Sequence, residues 1–495
     1  MSQEQDHVSH VALKPRRLIR GEITYSAAKE KDTNILHELG YREQKIQFFT
    51  RLYKNRELIK NLVAHHLGIT SDACRVVDVE DWIHGSFNVC IRVDIDNPKP
   101  NTEKQVMIRF PLPYRIGESP CPGNADEKVR CEVGTYAWVS EKCPDVPIPR
   151  LHGFGLSNGK TFTYLGALPF FSQNIERLRR WLLQLLRYPV PSLYVENRVQ
   201  DRNMLGMPYL VIEYIDPSRG EMLSETWERG RLDPRLRANL FHGLSRIMLN
   251  LARIPLPKIG SFNLDEHGYL HLSNRPLTLE IQQLENESIP VDIQRDTTHA
   301  SVDSYVNDIL ELHQSRLRHQ PNAINSLEDG GPFFLSLTDL NQSNIYVDHD
   351  WNITGLIDLE WACSQPVEMI HPPHWLTNEA IDLISVDDYE VMHGEFMDAF
   401  AHEEKTFDLP FPLYSVLKQG LEKGTFWCSL SLASPTALFK IFYDYIQPRF
   451  SKTHDDPAFW QITMPYWNFN TFAFIEHKVK DKDIYDKSLL EAFQS

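Results

Sequence analysis

Phe333-Phe-Leu-Ser-Leu-Thr-Asp339-Leu-Asn-Gln-Ser-Asn344-Ile-Tyr-Val-Asp348, followed by Ile353-Thr-Gly-Leu-Ile-Asp358-Leu-Glu-Trp361, is the stretch that decides how this chain is read. Two short apolar strands flank a turn at His349–Asn352, so the segment predicts a β-hairpin. Asp339 stands just before the first strand, Asn344 follows it five residues later, and Asp358 comes just after the second strand. A hairpin linking Asn344 to Asp358 lets both side chains reach one divalent cation. Carboxylate and amide oxygens suit Mg²⁺, which keeps several waters and binds substrate phosphates. Asp339, on the same loop, can accept or orient the proton of an attacking hydroxyl. Phosphoryl transfer needs mostly positioning and charge neutralisation, and these three groups supply both. Asp and Asn are also ordinary turn residues, so the flanking strands and the second Asp are what make the pattern more than a turn.

Working outward, the rest of the chain divides by its periodicity. Residues 1–32 read as a polar, poorly ordered arm, and 40–67 carry helical spacing that stops at Gly68. Strands are expected at Arg75–Asp81, Phe87–Asp94 and Gln105–Phe110, then a helix over 126–142, then strands at Phe162–Leu168 and Tyr209–Tyr214. Between the last two lies an insertion, about 172–205, whose first half is a basic amphipathic helix rich in Leu and Arg. It reads as a lid helix packed on its own lobe, with a membrane-surface or partner-binding role as the other option. Residues 233–253 and 301–319 have strong helical spacing, while 261–298 read as a polar, Asn/Asp-rich loop region. The layout is α+β and bilobal. Its expected parts are an N-terminal arm and helix (1–70), a nucleotide-binding N-lobe (71–216) and a C-lobe with the catalytic loop and acceptor site (217–495).

With these residues in place, the chain resembles the aminoglycoside phosphotransferase and choline kinase-like family, and is most similar to its fungal-type members. That family's signature is H-G-D-x-x-x-x-N followed by I-D. The resemblance covers about residues 70–445, with its strong motifs at 333–361. It implies a protein kinase-like fold: a small antiparallel-sheet N-lobe with one main helix, and a larger, mainly helical C-lobe containing a short β-hairpin. It also implies ATP and Mg²⁺ as cofactors and transfer of the γ-phosphate to a hydroxyl of a small molecule. Carried over residue by residue, Asp339 is the catalytic base, and Asn344 and Asp358 are the Mg²⁺ ligands. Gly85 and Ser86 occupy the phosphate-covering loop, whose backbone amides would cap the β- and γ-phosphates. Arg109 stands where kinases place a strand Lys, and Glu132 on the next helix pairs with it. In the hinge, the Glu213 carbonyl and the Ile215 amide face the adenine.

Three positions depart from the family pattern. Leu337 replaces the loop His, Arg109 replaces the phosphate-contacting Lys, and Asn341 stands where many members have His. Arg keeps the charge but presents a larger planar fork. These departures keep open an alternative reading, a catalytically weak nucleotide-binding pseudokinase or scaffold. Glu360 reads equally as a group near the metal or a cationic substrate and as a helix-start residue. The pair His371 and His374 reads as a structural turn, and Trp361 and Trp375 as core.

Bulk properties narrow the classes. The 495 residues are 42% hydrophobic and 24% charged, enough for a sizeable core. A net charge of −16 argues against a nucleic-acid footprint and fits a small-molecule acceptor, cationic if the charge bears on substrate choice. Seven cysteines without a C-x-x-C pair point to a reducing compartment. Met1–Lys14 has no apolar core of a secretory signal, and no apolar run is long enough to span a bilayer. The expected location is cytoplasmic.

Overall fold

The computed structural model describes residues 13–31, 33–96, 103–197, 205–321, 333–434, 437–451, 453 and 471–494. Its largest sheet is antiparallel and holds β1 (Cys74–Val76), β2 (Ile83–His84), β3 (Asn88–Ile95), β4 (Gln105–Pro111), β5 (Leu151–Gly155), β6 (Thr161–Tyr164), β7 (Tyr194–Glu196) and β8 (Tyr209–Glu213). The order across it is β1-β3-β4-β8-β5-β6-β7, with β2 beside β3.

Alternation along the strands decides what each face carries. Val89, Ile91, Val93, Val106, Ile108 and Phe110 point to one face, where they share a core with helices α1 (Tyr41–Lys54) and α2 (Arg56–Leu67). The intervening residues face the other way, toward helix α3 (Asn124–Lys142), and Met107, Leu210 and Ile212 join its core. Arg109 falls in that second set and pairs in register with Cys90 on β3 and Leu210 on β8. The sheet is therefore covered on both faces, and the expected single main helix is joined by α1 and α2. Gly68 ends α2 at φ 64°, with its Cβ position only 2.9 Å from the Ala167 carbonyl, so a side chain there meets both strain and a clash.

Helix α4 (Phe170–Leu185) follows β6. Beyond β8 come β9 (Glu221–Met222), helix α5 (Pro234–Ala252), the hairpin β10 (Ser261–Leu264) and β11 (Leu270–Asn274), and helices α6 (Leu279–Asn286) and α7 (Val302–His319). Strands β12 (Phe333–Ser336), β13 (Ile345–Val347), β14 (Ile353–Leu356) and β15 (Cys363–Pro366) carry the segment that opened the sequence reading. Helix α8 (Val386–Glu404) packs on α5, and helix α9 (Thr471–Gln494) ends the described chain.

Several expectations are corrected: the strand expected at Arg75–Asp81 ends at Val76, and the one at Phe162–Leu168 ends at Tyr164, each giving way to a helical turn. Residues 261–298 are not a polar loop region: they hold β10, β11 and α6. Their apolar residues alternate only over short stretches, as at Phe262 and Leu264 and at Leu270 and Leu272, between runs of polar side chains. Even so, Leu277, Ile281, Leu284, Ile289 and Ile293 bury together with Cys131 and Trp361. The N-terminal arm is also more ordered than its polarity suggests. Ile23, Ala28 and Ile35 pack against Tyr485, Leu489 and Phe493 of α9, and the Ile35 amide donates to the Tyr485 hydroxyl at 3.0 Å. Residues 1–12 of that arm lie outside the described residues.

Candidate active site

Two loops face each other at the centre of the site, residues 337–344 and 357–362. At one end they are joined by the expected hairpin, β13 against β14, with Ile345 opposite Leu356. At the other end β12 pairs with β15, with Ser336 opposite Cys363. Asp348 Oδ1 shapes the hairpin turn by accepting from the amides of Asp350 and Asn352, both at 2.9 Å. Cross-links then tie loop to loop: the Ile357 amide donates to the Asn344 carbonyl at 3.0 Å, and Thr338 Oγ1 donates to the Trp361 carbonyl at 2.7 Å. Trp375 Nε1 holds the first loop by donating to the Leu340 carbonyl at 2.7 Å. Leu337 packs against the main hydrophobic core. Thr338 and Trp375 thus anchor the loop that carries Asp339.

Asp339 and Asn344 belong to one hydrogen-bonded unit. Asn344 Nδ2 donates to the Asp339 carbonyl at 2.8 Å and to its Oδ2 at 3.3 Å, and Asn341 Nδ2 donates to Oδ1 at 3.1 Å. Burial pushes the Asp339 carboxyl up to about 6, and the charges of Glu360 and Asp358 push the same way against these amide bonds. Asp358, opposite, adopts φ 59°, a left-handed conformation that Asp enters more readily than most side chains.

Its side chain and that of Glu360 are held from β4 and α3. Arg109 Nη2 lies 2.5 Å from Asp358 Oδ1 and also contacts Glu360 Oε2, while Nη1 donates to Glu132 Oε1 at 2.8 Å. Arg109 is 2% exposed, so the anticipated Arg109–Glu132 pair is a buried ion pair rather than a surface one. Lys128, one turn before Glu132 on α3, is fully buried; its Nζ lies 3.2 Å from Glu360 Oε1 and donates to Asn88 Oδ1 at 2.8 Å. Asn88 Nδ2 in turn donates to Glu360 Oε1 at 2.9 Å. Glu360 is a buried acceptor for two cations and an amide, not a helix-start residue.

These partners set the charges. Burial opposes ionisation of Glu360, but Arg109, Lys128 and Asn88 outweigh it and hold its carboxyl below the usual range. Glu132 is pushed up to about 7, chiefly by burial, with Arg109 pulling down and Glu360 pushing further up. Its Oε2 makes no hydrogen bond, whereas Glu360 is met by Arg109, Lys128 and Asn88 together. Burial also raises Asp358, against Arg109. Asp358 keeps 36% of its side chain exposed and is the member of the cluster that opens to solvent.

The remaining predicted residues adjoin this cluster through the sheet. Gly85 and Ser86 form the turn between β2 and β3, which is closed by the Gly85 amide donating to the Asn88 carbonyl at 3.0 Å. Phe87 sets its ring edge-on to Trp361 at 5.3 Å, and Asn88 reaches Glu360, so the turn is docked on the Asp358–Trp361 loop. Glu213 pairs with Val106 on β4, three residues before Arg109. Ile215 reaches over Gly355 of β14, where an added Cβ would lie 3.0 Å from Ile215 Cδ1.

Trp361 and Trp375 are buried. The rings of His371 and His374 lie 6.4 Å apart, and His371 Nδ1 contacts the Pro372 carbonyl. Among the described residues no group of three or more His, Cys, Asp or Glu side chains is arranged to hold a metal ion. Lys128 and Asn88 were not singled out from the sequence. For Lys128 the signal was its four-residue spacing from Glu132, which puts both on one face of a helix.

No family model matches this chain, and no curated protein does. Among solved structures it is similar to a Ralstonia eutropha protein assigned as an aminoglycoside phosphotransferase, at 9% identity and a TM-score of 0.37. It is also similar to a Plasmodium vivax ethanolamine kinase, at 13% identity and a TM-score of 0.36. Each match covers 88% of this chain and 98% of the other. At that overlap and identity it is the site's own residues that carry the functional reading.

Proposed function

We propose that this chain is a small-molecule phosphotransferase of bilobal, protein kinase-like build, with lobes at 71–216 and 217–495, that uses ATP and Mg²⁺ to phosphorylate a hydroxyl group. The observation that carries this reading is the convergence of Asp339, Asn344 and Asp358 on two facing loops, with Arg109 reaching Asp358 from a strand and Glu132 holding Arg109 from a helix.

The donor set fits the metal. Asn344 spends its amide nitrogen on Asp339, which leaves Oδ1 for coordination, and Asp358 offers a partly exposed carboxylate beside it. Two cations, Arg109 and Lys128, face four carboxylates, Glu132, Asp339, Asp358 and Glu360. A divalent ion balances that excess, and one carboxylate plus one amide suits an ion that keeps water and phosphate ligands. Bound Mg²⁺ supplies neutralisation of the charge on the transferring phosphoryl group.

The chain's own residues do the rest. Asp339 takes the proton of the acceptor hydroxyl, aimed by Asn341 and Asn344. The Gly85-Ser86 turn covers the phosphates, and the Glu213 carbonyl and Ile215 amide meet the adenine edge. The acceptor enters on the 217–495 side, and the acidity of the chain favours a cationic one. All seven cysteines are free thiols, in keeping with a cytoplasmic setting. Among the described residues no helix is long and apolar enough to cross a membrane.

One observation favours a second reading. Arg109 is already engaged by three carboxylates, Asp358 among them, so the cation expected to meet phosphate is held within the protein. That suits a nucleotide-binding protein with little turnover. Mg²⁺-dependent phosphate transfer from labelled ATP to a panel of hydroxyl-bearing amines and sugars, with Asp339→Ala as the blank, separates the two. Turnover lost in the variant supports the phosphotransferase. Nucleotide binding without turnover on any acceptor leaves the second reading standing.

A further inference from the structure

Helix α4 is amphipathic, but it is mounted the wrong way round for a soluble protein. The half-buried residues it turns toward the body of the molecule are polar except for Leu183. Gln173 Nε2 donates to the carbonyls of Leu165 and Gly166, at 3.3 and 3.2 Å. Arg180 donates to the Ser192 carbonyl at 2.6 Å and to Glu176 Oε2 at 3.0 Å. No residue of the helix is buried. The opposite face carries Phe170, Phe171, Ile175, Leu178, Trp181 and Leu185, each between 56% and 80% exposed. At about 100° per residue these six fall within one arc of roughly 140°. Leu186 and Tyr188 extend the patch past the helix end.

The charges frame this apolar face. Arg177 and Arg179 are exposed and flank it on its two sides, and exposed Arg187 follows the helix. Residues 170–188 hold four arginines and one glutamate, a net +3 in a chain of −16. Glu176, the one acid, pairs with Arg180 at 3.0 Å on the inner face and with Arg179 at 3.4 Å at the rim. A second copy of this surface would set one net-positive segment against another, +3 against +3. Apolar side chains rimmed by arginines match a bilayer surface instead: the rings and leucines enter the acyl boundary, and the guanidinium groups reach lipid phosphates.

We infer that α4 is a membrane-docking helix that lies in the plane of an anionic lipid surface. Nothing in this inference depends on the phosphotransfer reading.

The test is flotation of the full chain with phosphatidylcholine vesicles and with phosphatidylserine–phosphatidylcholine vesicles. The wild type floats with the mixed vesicles and binds pure phosphatidylcholine at least about tenfold more weakly. Leu178→Glu with Trp181→Glu removes flotation, and Arg177→Glu with Arg179→Glu lowers it to the phosphatidylcholine level. Both double variants melt where the wild type does, so lost binding is not lost folding. Three results overturn the inference: no flotation on either vesicle, equal flotation on both, or flotation indifferent to the apolar variant. Self-association abolished by the apolar variant, without vesicle binding, overturns it too and makes the face a contact between copies.

Discussion

Beneath Asp358 the protein withdraws Arg109, Lys128, Glu132 and Glu360 from water, while along α4 it pushes Phe171 and Trp181 into it. Each region reverses the usual partition of charge and hydrocarbon. In the first, every charge has an opposite charge within 4 Å, which offsets the cost of leaving water in full at Glu360 and only in part at Glu132, still pushed up to about 7. In the second, nothing within the described chain covers the apolar side chains. The interior inversion is therefore closed within the molecule, and the surface one points outside it.

Removing one member of the closed set is the largest perturbation available. Arg109→Met leaves Glu132, Glu360 and Asp358 without their shared cation, and should destabilise the fold by about 3–5 kcal/mol in chemical denaturation. Arg109→Lys keeps the charge but cannot reach three carboxylates with one ammonium, so it should fall between wild type and Arg109→Met. A methionine variant as stable as the wild type would break the comparison, because the cluster would then not need its arginine.

Asp339 sits at the edge of the same cluster, with no cation of its own, and should separate chemistry from folding. Asp339→Asn keeps the shape of the loop and removes the proton acceptor. Under the phosphotransferase reading it lowers turnover by about a hundredfold or more, on the scale of general-base removal. Stability should hold or rise slightly, since burial and its acidic neighbours already disfavour the Asp339 charge. Single-turnover kinetics beside thermal melting reads both effects.

How much of this was legible in the sequence follows from which interactions are local. The β13–β14 hairpin and the Asp339, Asn344 and Asp358 positions stand within 20 residues of one another, and strand alternation betrays them. Alternation along β4 likewise puts Arg109 on the face opposite Ile108 and Phe110, toward α3 and Glu132. What failed was non-local. The β12–β15 pairing joins segments across the whole loop pair, and the core of 261–298 is completed by Cys131 and Trp361 from distant positions. For α4 the amphipathic period was plain, but a period has no sign. It marks two faces without saying which one the protein covers, and the lid packed on its own lobe took the ordinary sign. Here the inner face is settled by hydrogen bonds to the carbonyls of Leu165, Gly166 and Ser192.

Glu287 offers a smaller test of the first half of the comparison, since it is a carboxylate withdrawn from water without a close cation. Burial, aided by Glu280 and opposed by Arg316, pushes it up to about 7. Its Oε2 makes no hydrogen bond. A carboxyl raised in the folded state binds its proton more tightly there than in the unfolded chain. Its contribution is therefore fully present below the unfolded value of 4.5 and is lost as pH rises through about 7. Partial exposure trims that loss to about 2 kcal/mol. Glu287→Gln should flatten this part of the pH–stability curve and leave the variant more stable than the wild type at pH above 7. Parallel curves for the two proteins would show that Glu287 is not held in a desolvated site.

The smallest expected effect is the sharpest for the second half. Truly unpartnered apolar side chains contribute little to folding, so charging them should cost the fold almost nothing. Leu178→Glu with Trp181→Glu should change unfolding free energy by no more than about 0.5 kcal/mol, the range of ordinary surface substitutions. The same exchange at a covered site buries two charges and costs several kcal/mol. Chemical denaturation without vesicles distinguishes these outcomes. A large loss would mean that α4 is covered by the protein's own chain in solution, which would erase the contrast with the Arg109 cluster. A loss near zero leaves the hydrophobic face with no role in folding, and a face of that size is then held for contact with something else.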